Sequence, residues 1–328
     1  MVSASPIENL LEHSLAKQIK ERALEMGFSL VGIAPAQPSA RGQYLKDWLE
    51  RGRAGEMAYL ARRFEERVDP SVYFPGAATV ICVVMNYYYP LEADTSSLHP
   101  ARVARYALGD DYHAMIKDRL FALADWIRQK APEGQTRCGV DTAPIMEKDL
   151  AMRAGIGWIG KNSCLINPRI GSWLLLGEII TTLPLPTDEP GTDHCGTCRA
   201  CIDACPTQAI TAPYELDATQ CISYLTIEHR GSIDPSLQKQ MGNWLYGCDI
   251  CQDVCPHNSK AVPATDPQFL PRFRGGTLDA DQILQWDAPT YQSTLRRSAM
   301  KRVKLPMLQR NAQIVLNNER AAQGEPSK

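Results

Sequence analysis

Eight of the eleven cysteines form two runs with the spacing of iron–sulfur ligands. The first run has the ferredoxin pattern C-x2-C-x2-C-x3-C-P, and the second repeats it with its first cysteine moved far upstream. In chain order the eight are Cys195, Cys198, Cys201, Cys205, Cys221, Cys248, Cys251 and Cys255. Because short spacing lets one loop supply three thiolates to a cubane, the sequence predicts two [4Fe–4S] clusters that pass single electrons.

The fourth cysteine of each run precedes a proline and, in ferredoxins, ligates the opposite cluster. We therefore predict one cluster on Cys195, Cys198, Cys201 and Cys255, and the other on Cys205, Cys221, Cys248 and Cys251. Structural zinc is the alternative, since it also binds C-x2-C pairs. Zinc sites usually have two such pairs, whereas this chain has three cysteines in series followed by Cys-Pro. The sequence therefore favours iron–sulfur clusters.

Asp141 is the carboxyl group best placed for proton transfer. It follows a predicted strand at residues 136–140 and precedes Pro144, and active-site residues gather at strand ends in layered folds. An aspartate that donates a proton near neutral pH must be desolvated so that its pKa rises. The alternative role is a helix N-cap, because a helix is predicted at residues 145–154.

A basic segment near the C-terminus is the candidate contact for nucleic acid. It contains five basic residues and no acid, and Arg310 extends it. If residues 296–304 are helical, Met300, Val303 and Met307 face inward and the basic side chains face solvent or phosphates. The alternative is an ordinary solvated helix face. The five basic residues are Arg296, Arg297, Lys301, Arg302 and Lys304.

Helices and strands that alternate along the chain must position these groups. Helical spacing is found at residues 10–26, 110–130 and 145–154, and strand-like apolar runs at 28–33, 79–89, 136–140 and 172–183. This alternation predicts a layered α/β domain over residues 1–185. A proline-rich break at 183–191 leads to a cysteine domain, residues 186–263, and then to a helical segment, residues 264–328.

Composition limits the functional classes. The chain has 328 residues, enough for two or three domains, and its net charge of −2 argues against general attraction to nucleic acid. No apolar run is long enough for a membrane span, so no membrane partner is expected. The first residues lack the basic and apolar regions of a signal peptide. Without an export signal, so many cysteines indicate metal ligation in a reducing cytoplasm.

Three further segments carry a family resemblance. They are residues 103–113 (VARYALGDDYH), 140–147 (VDTAPIME) and 154–165 (AGIGWIGKNSCL). Together with the cysteine runs and residues 221–228 (CISYLTIE), they resemble the epoxyqueuosine reductase family, in the same order along the chain. The resemblance spans about residues 8–316. It is specific because the segments occur jointly.

The resemblance implies a cofactor, a substrate and a mechanism. Base-off cobalamin would lie between the first domain and the cluster domain, and the clusters would reduce its cobalt to Co(I). Co(I) would attack the epoxide of epoxyqueuosine at the wobble position of a tRNA with a GUN anticodon, and Asp141 would donate a proton. The implied cofactor contacts are Met57, Tyr106, Asp111, His113, Asp141, Gly160, Asn162 and Cys164. In addition, the glycines of the third segment are expected to let the backbone approach the corrin closely.

The implied tRNA contacts are His229, Arg230, Arg297, Lys301 and Arg302. The family has a C-terminal helical repeat domain that helps hold tRNA, and the last segment here has room for only its first helices. Pro306 also interrupts a helix that is continuous in relatives.

The predicted fold class is therefore α+β and multidomain. It comprises an α/β cobalamin-binding domain, a ferredoxin-like domain with two [4Fe–4S] clusters and a short, partly HEAT-like helical C-terminus. The expected protein is a cytoplasmic monomer supplied by an external low-potential electron donor. One alternative is a related corrinoid reductase of a small molecule such as an organohalide. The other is a non-catalytic electron carrier, which would not need the first domain.

Overall fold

The computed structural model describes residues 6–92 and 97–324, which fold into helices and strands joined by short 3-10 turns. The helices are α1 (Pro6–Glu25), α2 (Gly42–Glu50), α3 (Phe64–Val68), α4 (Pro70–Tyr73), α5 (Tyr112–Lys130), α6 (Glu147–Arg153), α7 (Ala200–Ala204), α8 (Ile222–Ile227), α9 (Pro235–Gln240), α10 (Ile250–Asp253), α11 (Ala280–Leu284), α12 (Ala288–Thr294) and α13 (Leu305–Ala322). The strands are β1 (Leu30–Pro35), β2 (Thr79–Asn86), β3 (Pro100–Val103), β4 (Thr136–Gly139), β5 (Trp158–Ile159), β6 (Leu165–Ile166), β7 (Leu174–Thr181), β8 (Ile210–Ala212), β9 (Glu215–Leu216), β10 (Trp244–Tyr246) and β11 (Thr277–Asp279).

The main sheet has the strand order β1-β2-β7-β4, and every neighbouring pair is antiparallel. Strand β2 is buried along its whole length because helices cover both faces of the sheet. Ile81 and Val83 pack with α1 and α5, whereas Val80 and Cys82 pack with α6. The predicted α+β class and the layering of the first domain are thus observed, with antiparallel rather than parallel strand pairing.

A second sheet, β10-β3-β11, joins strands from all three predicted segments. Strand β3 pairs in parallel with β10 and antiparallel with β11. The main apolar core also continues from the first segment through Leu245 and Tyr246 to Met300 and Val315. The three segments are therefore packed on one another, and the predicted boundaries at 185 and 263 remain predictions.

The stretch between Cys221 and Cys248 contains two apolar runs, at residues 222–227 and 237–245. The structure forms α8 over the first run but divides the second between α9 and β10. Gly242, with φ of 58°, lies at the division. A left-handed backbone conformation ends a helix and is easily adopted by glycine.

The helix expected over residues 296–304 is not formed. Helix α12 ends at Thr294, Arg297 has φ of 59°, and Ala299–Arg302 is a single 3-10 turn. Helix α13 begins only at Leu305, with Pro306 in its first turn, where proline needs no N–H partner. Met300 and Val303 are nevertheless fully buried, as their apolar character predicts.

Candidate active site

Asp141, His113 and Asp111 form a linear hydrogen-bonded set at the start of α5. His113 Nδ1 lies 2.7 Å from Asp111 Oδ1, and His113 Nε2 lies 3.0 Å from Asp141 Oδ2. Asp111 also caps α5, because its side chain accepts the backbone N–H of His113 at 3.1 Å. The capped helix end therefore fixes the imidazole between two carboxylates.

His113 carries a positive charge at neutral pH. Burial opposes this charge, but the hydrogen bonds that His113 donates to Asp111 and Asp141 outweigh it and raise the pKa of His113 to about 9. The hydrogen bond to His113 likewise outweighs burial at Asp111 and lowers the pKa of that carboxyl. His113 is thus an imidazolium whose Nε2 atom donates a proton in a hydrogen bond to Asp141 Oδ2.

The expectation that Asp141 is desolvated is wrong, and its alternative role as a helix cap is not observed either. Its side chain is 55% exposed rather than desolvated, because it lies on an open loop after β4. It is also not a helix N-cap, since α6 begins at Glu147 and Met146 occupies the cap position without a side-chain hydrogen bond. The backbone of Asp141 has φ of 51°, and its N–H donates to Glu147 Oε1 at 2.5 Å. This contact directs the carboxylate towards His113.

Aromatic side chains connect this set to the second cysteine run. Tyr112 stacks on His113 with ring centroids 4.1 Å apart, and Tyr106 meets Tyr112 edge to face at 6.2 Å. Tyr106 in turn packs against Gly247, where an added Cβ would lie 3.5 Å from its Cε1. Gly247 precedes Cys248, so two aromatic rings separate the imidazole from a predicted cluster ligand.

The first group of cysteines borders one cavity. Cys195, Cys198, Cys201 and Cys255 all line it. Within the described ranges, no three His, Cys, Asp or Glu side chains converge on a single metal-ion position. Four thiolates that line one cavity are the donor set of a cubane.

Two side chains from the first domain bind this cysteine loop. Trp158 Nε1 donates to Cys195 Sγ at 3.4 Å. Lys161, only 8% exposed, donates to the carbonyl oxygens of Gly196 at 2.5 Å and Cys198 at 2.9 Å. Positive charge and N–H donors beside the sulfurs stabilise the reduced form of an iron–sulfur cluster.

The second group of cysteines comes together at the ends of α8 and α10. Cys221 and Cys248 each lie within electrostatic range of Cys205, and Cys251 lies within range of both. Cys221 and Cys248 also pack in one apolar cluster with Tyr106 and Met57. This group faces the aromatic residues of the first domain, whereas Cys198 of the other group is exposed.

The glycines of the glycine-rich loop, residues 154–165, pack closely against the protein itself, and their approach to a corrin stays a prediction. A Cβ at Gly160 would lie 2.4 Å from Ile166 Cδ1, and one at Gly157 would lie 2.1 Å from the Ile166 carbonyl oxygen. The protein's own hairpin, β5–β6, therefore requires these glycines. The buried Asn162 donates to the Cys251 carbonyl at 3.2 Å and accepts from the Cys164 N–H, so this loop supports the cluster segment.

Met57 and Arg302 lie on another side of the site. Met57 caps the 3-10 turn Ala58–Leu60, and Tyr59 of that turn lies under the Arg302 guanidinium, 5.8 Å from it. Arg302 forms a bidentate ion pair with Glu228 at 2.9 Å. Tyr59 and Arg302 are both within electrostatic range of Asp141. Arg302, a predicted tRNA contact, thus lies within electrostatic range of Asp141.

The remaining basic residues differ in exposure, and some of their side chains already bind other groups of the protein. Lys301 and Arg230 are exposed, and Arg297 is exposed but ion-paired with Asp110. His229 lies 2.9 Å from Glu56 and contacts the Ser232 carbonyl. The expectation that Arg310 extends the basic surface is wrong, because its guanidinium donates to three main-chain carbonyls. These carbonyls belong to Leu225, His229 and Gly231.

Comparison with known proteins identifies the family. Residues 67–142 match the family model described as "Epoxyqueuosine reductase QueG, DUF1730", and residues 194–258 match a 4Fe-4S double cluster binding domain. An epoxyqueuosine reductase of Leadbetterella byssophila is 44% identical over 92% of this chain and 98% of its own length. The chain belongs to the epoxyqueuosine reductase family. The double cluster domain also decides between iron–sulfur and zinc in favour of iron–sulfur.

Solved structures of epoxyqueuosine reductases share the fold. One, with an epoxyqueuosine-modified tRNA-Tyr stem loop, has a TM-score of 0.87 at 28% identity over 95% of this chain and 83% of its own. The Streptococcus thermophilus enzyme has a TM-score of 0.84 at 30% identity over 92% and 81%. A Bacillus subtilis structure, with a TM-score of 0.87 at 27% identity over 95% and 83%, has its catalytic aspartate loop swung out of the active site.

Sequence reasoning missed four residues of this epoxyqueuosine reductase family member. Lys161 and Trp158 bind the cluster loop, and Glu147 and Glu178 lie beneath Asp141. An isolated glutamate in a predicted apolar strand was the available signal for Glu178, since an unpaired buried carboxylate is rare.

Proposed function

We propose that this protein reduces epoxyqueuosine to queuosine in tRNA, using a corrinoid, two [4Fe–4S] clusters and Asp141 as proton donor. Removal of the epoxide oxygen as water consumes two electrons and two protons and leaves an alkene. The clusters, which accept and release single electrons, would supply the electrons. The acid set at Asp141 would supply a proton.

The chain offers a fitting surface for a large redox cofactor. Met57 and Tyr106 belong to the apolar cluster that contains Cys221 and Cys248, and the exposed carboxylate of Asp141 lies within electrostatic range of Tyr106. A base-off corrinoid held there would supply a strongly reducing cobalt nucleophile for the epoxide. Asp111 and His113 would position Asp141 in addition to contacting the cofactor. Asn162 and Cys164 would contact the cofactor from the side of Cys251.

The proton chemistry follows from the hydrogen bonds of His113. The imidazolium can return a proton to Asp141 after the carboxyl group has protonated the oxygen that leaves the epoxide. Asp111 holds the imidazole in place through Nδ1 and favours its charged form. The substrate would cover the exposed Asp141 carboxylate, and this burial would favour the protonated acid that donation requires.

The tRNA would approach from the side that carries Tyr59, Arg230, Lys301 and Arg302. Lys301 and Arg230 offer exposed charges for phosphates. Electrons would be taken up near the exposed Cys198 from an external low-potential donor. We propose that the protein acts in the cytoplasm as a monomer. Among the described residues no helix is both long and apolar enough to cross a bilayer.

The observation that carries this proposal is the chain of contacts from Asp141 through His113, Tyr112 and Tyr106 to the residue before Cys248. The test is an anaerobic assay on tRNA from cells that lack this activity, with and without added cobalamin. We expect queuosine only when cobalamin and reductant are present. Turnover without cobalamin would reject the corrinoid, and turnover of an organohalide but not of the tRNA would support the small-molecule alternative.

A further inference from the structure

Two carboxyl groups lie beneath the loop that carries Asp141. Glu178 is 0% exposed in the middle of β7, where its register partners are Cys82 on β2 and Gly139 on β4. Neither of its carboxyl oxygens has a hydrogen-bond donor among the described residues. An ionised carboxylate is strongly disfavoured in such a position unless it is paired, so Glu178 needs a proton.

Glu147 is the group that faces Glu178. Its Oε1 atom accepts the backbone N–H of Asp141 at 2.5 Å, and its carboxyl lies within hydrogen-bonding range of the Glu178 carboxyl. Two ionised carboxylates contain only acceptors and cannot hydrogen-bond to each other, so Glu178 has no donor while both groups are ionised. One shared proton turns their contact into a hydrogen bond.

The surroundings favour retention of that proton. Burial first, and then the charge of Glu147, raise the pKa of Glu178 well above its ordinary value. Burial and the charge of Asp141 raise the pKa of Glu147 to about 7, although the Asp141 N–H opposes the rise. Lys148 lowers the pKa of Glu147 but offsets only part of the rise. The charged or titratable groups that face the pair are Asp141, Lys148, Arg67, Tyr112 and Cys82.

The Asp141 loop depends on this pair. Asp141 holds a positive φ of 51°, a conformation that side-chain-bearing residues rarely adopt, and its N–H donates to Glu147. If the shared proton left, two charges would lie side by side, one of them on the fully buried Glu178, and the carboxyls would separate. Glu147 would then move away from the Asp141 N–H, and the loop would lose the contact that directs Asp141 towards His113.

We propose that Glu147 and Glu178 share one proton and act together as positioning residues that hold the Asp141 loop ready for proton transfer. The proposal rests on the proposed function only for the role of Asp141; the shared proton itself does not depend on it. The pair lies beneath the loop and does not contact the substrate. It acts through the Asp141 backbone.

The first test is infrared spectroscopy of the purified protein, which detects the carbonyl stretch of a protonated carboxylic acid. We expect a band at neutral pH that disappears in alkaline solution, and its absence in Glu178→Gln. Asp149→Asn is the matched control, because Asp149 is a buried carboxylate paired with Arg153; the band should persist in it. A wild-type spectrum without the band, or a band unchanged in both Glu178→Gln and Glu147→Gln, would overturn the shared proton.

The second test is the pH dependence of single turnover on epoxyqueuosine-tRNA. Glutamine at 178 can still donate to Glu147 but cannot titrate, so Glu178→Gln should keep the neutral rate and lose less rate in alkaline solution than the wild type. Glu178→Leu cannot donate, and its rate should fall by about tenfold or more. Equal alkaline losses in the wild type and Glu178→Gln would remove the positioning role.

The two tests separate the proposals. If the wild-type protein fails to turn over epoxyqueuosine-tRNA, the proposed function falls while the infrared band still decides whether the proton is shared. If the wild type turns over and the band does not respond to either glutamine variant, only the role of Glu147 and Glu178 is rejected.

Discussion

The indole N–H of Trp158 donates to Cys195 Sγ across 3.4 Å. Trp158 belongs to the two-stranded hairpin of the first domain and is 1% exposed, so its ring position is fixed by packing. A domain outside the double cluster segment therefore contributes a donor to a predicted cluster ligand.

Trp158→Phe should lower the reduction potential of the cluster on Cys195. Phenylalanine retains the apolar packing but cannot donate to sulfur, and N–H donors stabilise the more negative reduced cluster. Anaerobic redox titration followed by electron paramagnetic resonance measures the potential. Trp126→Phe, on α5, is the matched control and should leave both potentials unchanged; an unchanged potential in Trp158→Phe would show that the indole has no electronic role.

Asp141→Asn should abolish most of the turnover while tRNA binding persists. Asparagine fills the same volume and can still accept a hydrogen bond from His113, but it has no acidic proton to transfer. We expect a single-turnover rate lower by roughly 10²–10⁴-fold, the usual contribution of a general acid. Filter binding of the same tRNA should give a dissociation constant close to that of the wild type. Turnover at the wild-type rate would assign the proton to another group.

The rate should fall as pH rises through the pKa of His113, which is about 9. This pKa is raised above the value of histidine in the unfolded chain. The charged imidazole therefore stabilises the folded protein fully below the unfolded-state pKa, and this stabilisation is lost as pH rises through the raised pKa of His113. Asp111→Asn removes one stabilising carboxylate, so its alkaline decline should begin at lower pH. Asp118→Asn, an exposed change on α5, is the control, and identical declines in all three proteins would contradict the assignment.

Lys301→Ala should weaken tRNA binding and reduce the slope of log affinity against log salt by about 1. Lys301 is exposed, whereas Arg302 already has a bidentate carboxylate partner in Glu228. Arg302→Ala should therefore change the slope less, because Glu228 already offsets much of the charge of Arg302. Equal slopes in the wild type and Lys301→Ala would place Lys301 outside the interface. Fluorescence anisotropy over a series of salt concentrations measures both slopes.

Local patterns were sufficient for much of the fold. The apolar spacing around β2 and α5 and the doubled cysteine spacing are each encoded within a short stretch, and the structure forms these elements where they were expected, apart from a few end residues. Antiparallel pairing in the main sheet could not be read from the chain, because a strand buried on both faces looks alike in either orientation. The pairing of β3 with β10 and β11 joins residues far apart in sequence.

The candidate site, like the fold, was only partly predictable from local sequence patterns. Asp141 was found from its motif, but its exposure and its contact with Glu147 depend on a loop conformation with positive φ. Arg310 looked like a surface charge because its hydrogen bonds to main-chain carbonyls come from another segment. Residues 296–304 looked helical because apolar spacing does not register that Arg297 adopts a left-handed conformation.

The sheet β10-β3-β11 has a practical consequence for dissection of the molecule. A fragment that ended at residue 263 would leave one side of β3 without its antiparallel partner, β11. Unpaired strand edges bind other strand edges and promote aggregation. The electron-transfer segment and the acid-bearing segment therefore cannot be studied as separately expressed pieces, and cluster reconstitution and turnover must be measured on the intact chain.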